Sequence, residues 1–161
     1  MAVTLPPDLV AMMGRGVSVI VGSRDAQLRP SLMRGVGCRV EPGGQDVTVY
    51  LARRQSRQVL QDIGSTGHVA VVFSEPASHR AVQLKASRAT LREAAPDDQP
   101  VLEAYLRAME HAIQQVGFPP PVTRAMLAHR LEDVVAVRFT PEQAFDQTPG
   151  PRAGTPLGVL K

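Results

Sequence analysis

The stretch Tyr50-Leu51-Ala52-Arg53-Arg54-Gln55-Ser56-Arg57-Gln58 concentrates the groups best suited to chemistry in this chain. An apolar, β-type run leads into a helix-type segment. The opening turn of that segment carries a hydroxyl (Ser56), a guanidinium (Arg57) and an amide (Gln58). The first N–H groups of a helix have no partner inside it, and the helix dipole leaves that end positive, so it attracts anions. A guanidinium there suits a phosphate dianion through paired, charge-assisted hydrogen bonds. The same residues also make an ordinary capped helix with solvated arginines, and local sequence does not choose between the two.

Other chemistry-bearing residues are sparser. His79, in Ser78-His79-Arg80, falls in a polar loop where it can meet a ligand, an iron or only solvent. His68 reads as a strand-start residue, and His111 and His129 as helix-surface residues; none has metal-ligand spacing to another, so no metal site is expected. Cys38 lies on an apolar parity and reads as a small core residue. Asp97 and Asp98, just before Gln99, read as helix N-terminal capping rather than a carboxylate pair. No residue stands out as a catalytic acid, base or nucleophile.

The elements that must position these groups follow from periodicity. Pro6, Pro7 and Asp8 open a short helix ended by Gly14 and Gly16. Strands are expected at Val17–Gly22, Leu28–Val40, Val47–Leu51, His68–Phe73, Ala81–Leu91 and Val134–Phe139. In the second of these, Leu32, Val36, Cys38 and Val40 share a parity with Arg34, which a bulge near Gly35 would re-aim. In the fifth, Val82, Leu84 and Ala86 face one way and Gln83, Lys85 and Ser87 the other. Val59, Leu60 and Ile63 give a helix with Ser56 at its N-cap and Gly64 at its C-cap. A longer helix is expected over Gln99–Val116, striped by Leu102, Leu106, Met109 and Ile113 and broken by Pro119–Pro121, then a short one around Arg124–His129. Met12, Met13, Met33, Met109 and Met126 read as core or interface filler. Residues 1–146 form one domain, and 147–161, rich in Pro and Gly, an extended arm. Short loops between successive strands make them antiparallel. The fold expected is mainly β with peripheral helices, a six-stranded antiparallel barrel, closed or nearly so.

Taken in order, RPSLMRGVGCRV, ARRQSRQVLQDI, VAVVFSEPASHRAVQLKASRATL and VVAVRFTPEQAFDQTPG resemble the flavin-mononucleotide-binding split barrels related to pyridoxamine 5'-phosphate oxidase. The resemblance implies flavin mononucleotide (FMN) as cofactor, an oxidoreductase activity and a homodimer that completes the ligand cleft. It implies that Arg57 and Ser56 hold the phosphate, and that Gln58 stands where many members have a lysine. Arg34 and Gly35, in the long strand, would approach the flavin; Gly37 frees backbone beside it. Gln83 lies in the strand that supplies a flavin-contacting glutamine. The oxidase proper ends in a basic motif for the substrate phosphate. The ending QTPGPRAGTPLGVLK does not resemble it, so a true pyridoxamine 5'-phosphate oxidase is not expected. A protein that stores, senses or carries flavin or haem without turnover, or a cofactor-free interaction module, are the alternatives.

Composition narrows the classes further. Hydrophobic residues make up 43% and charged residues 20% of 161, as in an ordinary globular domain. No apolar run suits a membrane helix. One cysteine excludes an internal disulfide, and no secretory leader pattern is visible, so the cytoplasm is the expected compartment. Only Lys85 and Lys161 among 18 basic residues are lysines. Arginine scattered along a chain with 4% aromatics does not make a nucleic-acid surface. It suits bidentate binding of phosphate or carboxylate, unless it reflects codon bias alone.

Overall fold

The computed structural model describes residues 2–157 and the backbone of residues 159 and 160. Its strands are β1 (Val3–Thr4), β2 (Ser18–Arg24), β3 (Pro30–Arg34), β4 (Gly37–Val40), β5 (Val47–Ala52), β6 (Val69–Ser74), β7 (Ala81–Ala86), β8 (Thr90–Glu93), β9 (Val134–Phe139), β10 (Gln143–Asp146) and β11 (Val159–Leu160). The α-helices are α1 (Pro7–Met13), α2 (Arg57–Thr66), α3 (Gln99–Gln115) and α4 (Pro120–Met126). The fold is mainly β with helices around it, and every strand pair is antiparallel. The six-stranded barrel is corrected to two sheets, one of five strands ordered β10-β7-β6-β2-β3 and one of four ordered β4-β5-β9-β8, with β1-β11 as a small third pair.

The difference in count has a physical cause. The expected strand over Leu28–Val40 is two strands, because the chain changes sheets within it. Gly35 donates to the Val19 carbonyl of the five-stranded sheet (2.8 Å), and Val36, next along, donates to the Tyr50 carbonyl of the four-stranded one (2.8 Å). A Cβ on Gly35 would lie 3.2 Å from the Val19 side chain and 3.3 Å from the Tyr50 carbonyl, so a side chain at the crossing would push its neighbours aside by a few tenths of an ångström. The crossing also explains the odd parity of Arg34. Before the crossing, Leu32 and Arg34 face outward and Met33 packs on the core; after it, Cys38 and Val40 pack on the core. The expected strand over Ala81–Leu91 likewise divides into β7 and β8, with Ala89 bonded to the Gly67 carbonyl between them (2.9 Å). The chain crosses again between β9 and β10, a strand that was not expected.

Between the sheets lies a core of Val19, Val21, Val49, Leu51, Val71, Phe73, Leu84 and Val137, closed by Leu9, Met12 and Met13 of α1 and by Tyr105 and Met109 of α3. Tyr105 donates from its hydroxyl to the Val17 carbonyl (2.7 Å). Met33 packs on this core, while Met126 is partly exposed. On the other side of the four-stranded sheet, Tyr50, Ala136 and Leu102 form a smaller cluster. There Asp98, at the N-cap position of α3 as expected, is also a buried anchor. Its carboxylate accepts from Tyr50 Oη (2.7 Å), Arg92 Nη1 (2.6 Å) and Nη2 (2.8 Å), and the Ala95 N–H (2.8 Å).

Other boundaries shift for local reasons. The helix expected around Arg124–His129 starts at Pro120, since proline suits a first turn as well as it breaks an interior. The expected Gly64 cap lies inside α2, which runs on to Thr66 and ends at Gly67, whose φ of 70° is left-handed. Of the arm over 147–161, residues 147–157 fold back along β10. Gly154 bonds to the Asp146 carbonyl (2.7 Å) and Leu157 to that of Ala144 (2.8 Å). Gly158, Lys161 and the side chains of Val159 and Leu160 lie outside the described residues. No helix among the described residues is long and apolar enough to cross a membrane.

Candidate functional site

Strand β5 is buried throughout and delivers the chain to a turn at Arg53–Gln55. Arg53 pairs there with Glu93 and Arg54 with Asp133. Val59, Leu60 and Ile63 then anchor α2 to the core. Ser56 stands at the N-cap, but the expected cap is corrected: its side chain bonds no backbone N–H. The hydroxyl is buried, 1% of the residue being exposed, and has no hydrogen-bond partner. Arg57 opens the helix, exposed and outside every ion pair among the described residues. Gln58 donates from Nε2 to Asp62 Oδ1 (2.8 Å), and Ser31 of β3 donates to Asp62 Oδ2 (2.5 Å). Asp62, 2% exposed, thus ties the first turns of α2 to β3. A cavity of about 240 Å³ opens beside it, lined by Gln58, Asp62, Arg29 and Asp25.

Arg34 and Gln83 fall elsewhere, on the outer face of the five-stranded sheet. Strand pairing places Arg34, Ile20, Val72, Gln83 and Phe145 in one row across β3, β2, β6, β7 and β10. Three strand spacings separate Arg34 from Gln83, roughly 14 Å. Arg34 Nη1 donates to Ser18 Oγ (2.6 Å). Lys85 Nζ lies 5.1 Å from the centre of the Phe145 ring. The structure therefore brings Ser56, Arg57 and Gln58 together at one place and Arg34 and Gln83 to another. Gly35 sits between them at the sheet crossing. Strand β3 links the two groups: Ser31 touches α2 through Asp62, and Arg34 follows three residues later. This strand is also the edge of its sheet, so one side of its backbone is open to a ligand.

Beside that row the outer face deepens into a groove of about 560 Å³. Its walls include Leu32, Gly22 and Ala70, and Arg24, His68 and Lys85 project into it. His68 Nδ1 lies 3.0 Å from the Thr66 carbonyl, which can only accept, so Nδ1 carries the proton. Nε2 then accepts from Arg24 Nη2 (3.3 Å). These three residues were not singled out in sequence. The alternation of Gln83, Lys85 and Ser87 was the available signal for Lys85. Arg24 was hidden because β2 runs two residues past the strand end expected at Gly22, and His68 because a strand start carries no functional mark. His79 is exposed in its loop. Cys38 is a core thiol that burial pushes up to about 12, which keeps it protonated and unreactive.

No family model matches the chain, and no curated protein sequence matches it. Solved structures do. A pyridoxamine 5'-phosphate oxidase-related, FMN-binding protein from Nostoc punctiforme aligns at 11% identity over 98% of each chain, with a TM-score of 0.52. HupZ of Group A Streptococcus aligns at 13% identity over 93% of this chain and 99% of its own, with a TM-score of 0.56. HutZ, a haem storage protein from Vibrio cholerae, aligns at 14% over 89% and 94%, with a TM-score of 0.52. At such identities the likeness is one of fold: this chain shares the fold of the pyridoxamine 5'-phosphate oxidase-related, FMN-binding proteins.

Proposed function

We propose that the protein is a homodimeric FMN-binding flavoprotein of the cytoplasm that acts as an oxidoreductase on a small molecule. The observation that carries the reading is the start of α2. Its leading N–H groups lack a side-chain cap, the Ser56 hydroxyl is buried without a partner, and Arg57 is free of any ion pair among the described residues. In this reading the phosphate lies against these groups, with Gln58 at its flank. The ring runs from there along the open edge of β3. Arg34 and Gln83 meet the flavin only if a second copy brings its outer row to that edge, because neither lines a cavity with α2 in one chain. The apolar character of the outer row, Ile20 and Val72 at its middle, supports burial against such a copy.

When bound, the flavin supplies hydride acceptance, and the protein supplies its position and electrostatic setting. Arg34 holds positive charge near the ring, and the β3 backbone offers hydrogen-bond donors. A hydride passes from a nicotinamide to the flavin without a separate proton transfer, so no acid–base residue is assigned.

An absorbance spectrum of the purified protein, repeated after FMN is added, tests the reading. Flavin bands that shift on binding, with NADH or NADPH oxidised in their presence, support it. A haem Soret band, or bound flavin that no donor reduces, replaces it by storage or sensing. Absence of any binding leaves the interaction module.

A further inference from the structure

We propose that the groove over β2, β6 and β7 is a second binding site, for a small amphipathic anion: an apolar body carrying one carboxylate. The walls Leu32, Gly22 and Ala70 offer apolar contact, and Leu32 is 67% exposed, more than a purely structural leucine needs. Two cations enter the groove without any carboxylate partner among the described residues. Arg24 hydrogen-bonds only to the imidazole of His68 and to a neighbouring carbonyl, and Lys85 rests over the Phe145 ring. The acid in the groove, Glu142, is taken up by the Ser87 N–H (3.2 Å) and hydroxyl (2.9 Å). His68 is held as the Nδ1–H tautomer, so its Nε2 steadies the guanidinium rather than competing for an anion.

The two cations stand one row and two strands apart, on Arg24 of β2 and Lys85 of β7. An anion entering between them gains charge-assisted bonds that neither cation has at present. Its apolar part then covers Leu32 and Ala70. The site borders the row of Arg34 and Gln83 and includes none of Ser56, Arg57 and Gln58, so FMN titration tells its failure from that of the flavin reading.

The test uses the full chain and anilinonaphthalene sulfonate, an aromatic anion that fluoresces in apolar surroundings. We expect binding that weakens roughly three- to tenfold in Lys85→Met and in Arg24→Met, which keep the apolar stem and delete the charge. Lys85→Arg and Arg24→Lys should restore it, which separates recognition from misfolding. Arg107→Met, on α3 outside the groove, should leave it unchanged. Decanoate should displace the probe and decanol should not. FMN titrations on the same variants report the flavin site separately. Equal probe binding by all variants, or equal displacement by decanoate and decanol, reduces the groove to an apolar patch and overturns the proposal. Failure of the wild-type dimer to bind the probe also overturns it, since a second copy then fills the groove.

Discussion

Asp98 and Asp62 are both buried carboxylates, yet their surroundings assign them different work. The Arg92 guanidinium, helped by the Ala95 N–H and the Tyr50 hydroxyl, holds the Asp98 carboxyl well below its ordinary value of 3.8, against the desolvation of burial. The folded-state value is the lower one. Its contribution to stability is therefore complete above the unfolded value and is lost as pH falls through the folded one. Arg92 is about half exposed, so solvent screens part of the attraction. Asp98→Asn should then destabilise by about 2 kcal/mol near neutrality. Urea midpoints of both proteins should converge in acid, and a gap that widens there would contradict the assignment. Asp62 has no cation among its bonded partners, only Ser31 and Gln58. Its negative charge one turn into α2 opposes an anion at the helix start. Asp62→Asn should therefore tighten FMN binding by roughly three- to tenfold, while loss of the paired acceptors lowers the melting temperature. Calorimetric titration and a thermal melt read the two opposite signs; weaker FMN binding would place the phosphate elsewhere.

At the scale of elements, the end of α2 governs how the second sheet crossing is held. Gly67 has a left-handed φ of 70°, and a Cβ there would come within 2.6 Å of the Ser87 carbonyl. Gly67→Ala should cost about 2–3 kcal/mol, from strained backbone and displacement of the β7–β8 link. A melting temperature within a degree or two of wild type would show that the link yields freely. The same region shows what sequence makes legible. Alternation located most strands of the core, though not β10 with its buried Ala144, and the strand-to-helix passage at Ser56 located the candidate anion site, because both signals are local. The sheet changes were not legible as such. Leu28–Val40 reads as continuous because only the hydrogen-bond partners switch at Gly35 and Val36, and partners distant in sequence leave no mark on periodicity. The cap at Gly64 was misplaced for a related reason: Gly67 is required by Ser87, twenty residues on. Arg24 and His68 meet only because Arg24 of β2 faces the residue just before β6, which no spacing of the two reveals.

For the whole molecule, the proposed flavin site needs a second copy that meets the outer face of the five-stranded sheet and the edge of β3. Light scattering at low micromolar concentration should give twice the mass of one 17.3 kDa chain. Val72→Glu, which places a charge in the middle of the apolar row, should yield a monomer that keeps its far-ultraviolet circular dichroism and loses FMN affinity. A monomeric wild type would remove the dimer from the account and leave Arg34 and Gln83 without a route to the flavin.

In the proposed flavin site the start of α2 holds the phosphate, and the comparison of FMN with riboflavin on Arg57→Ala tests this most directly. The two ligands share the ring and differ in the phosphate alone. Deleting a guanidinium aimed at that group removes roughly 1.5–3 kcal/mol, so FMN affinity should fall on the order of ten- to a hundredfold while riboflavin affinity holds. Arg53→Ala, which breaks only the pair with Glu93, should leave both nearly unchanged. Equal losses for both flavins on Arg57→Ala would contradict the account, since they would mean that Arg57 supports the ring or the fold and not the phosphate.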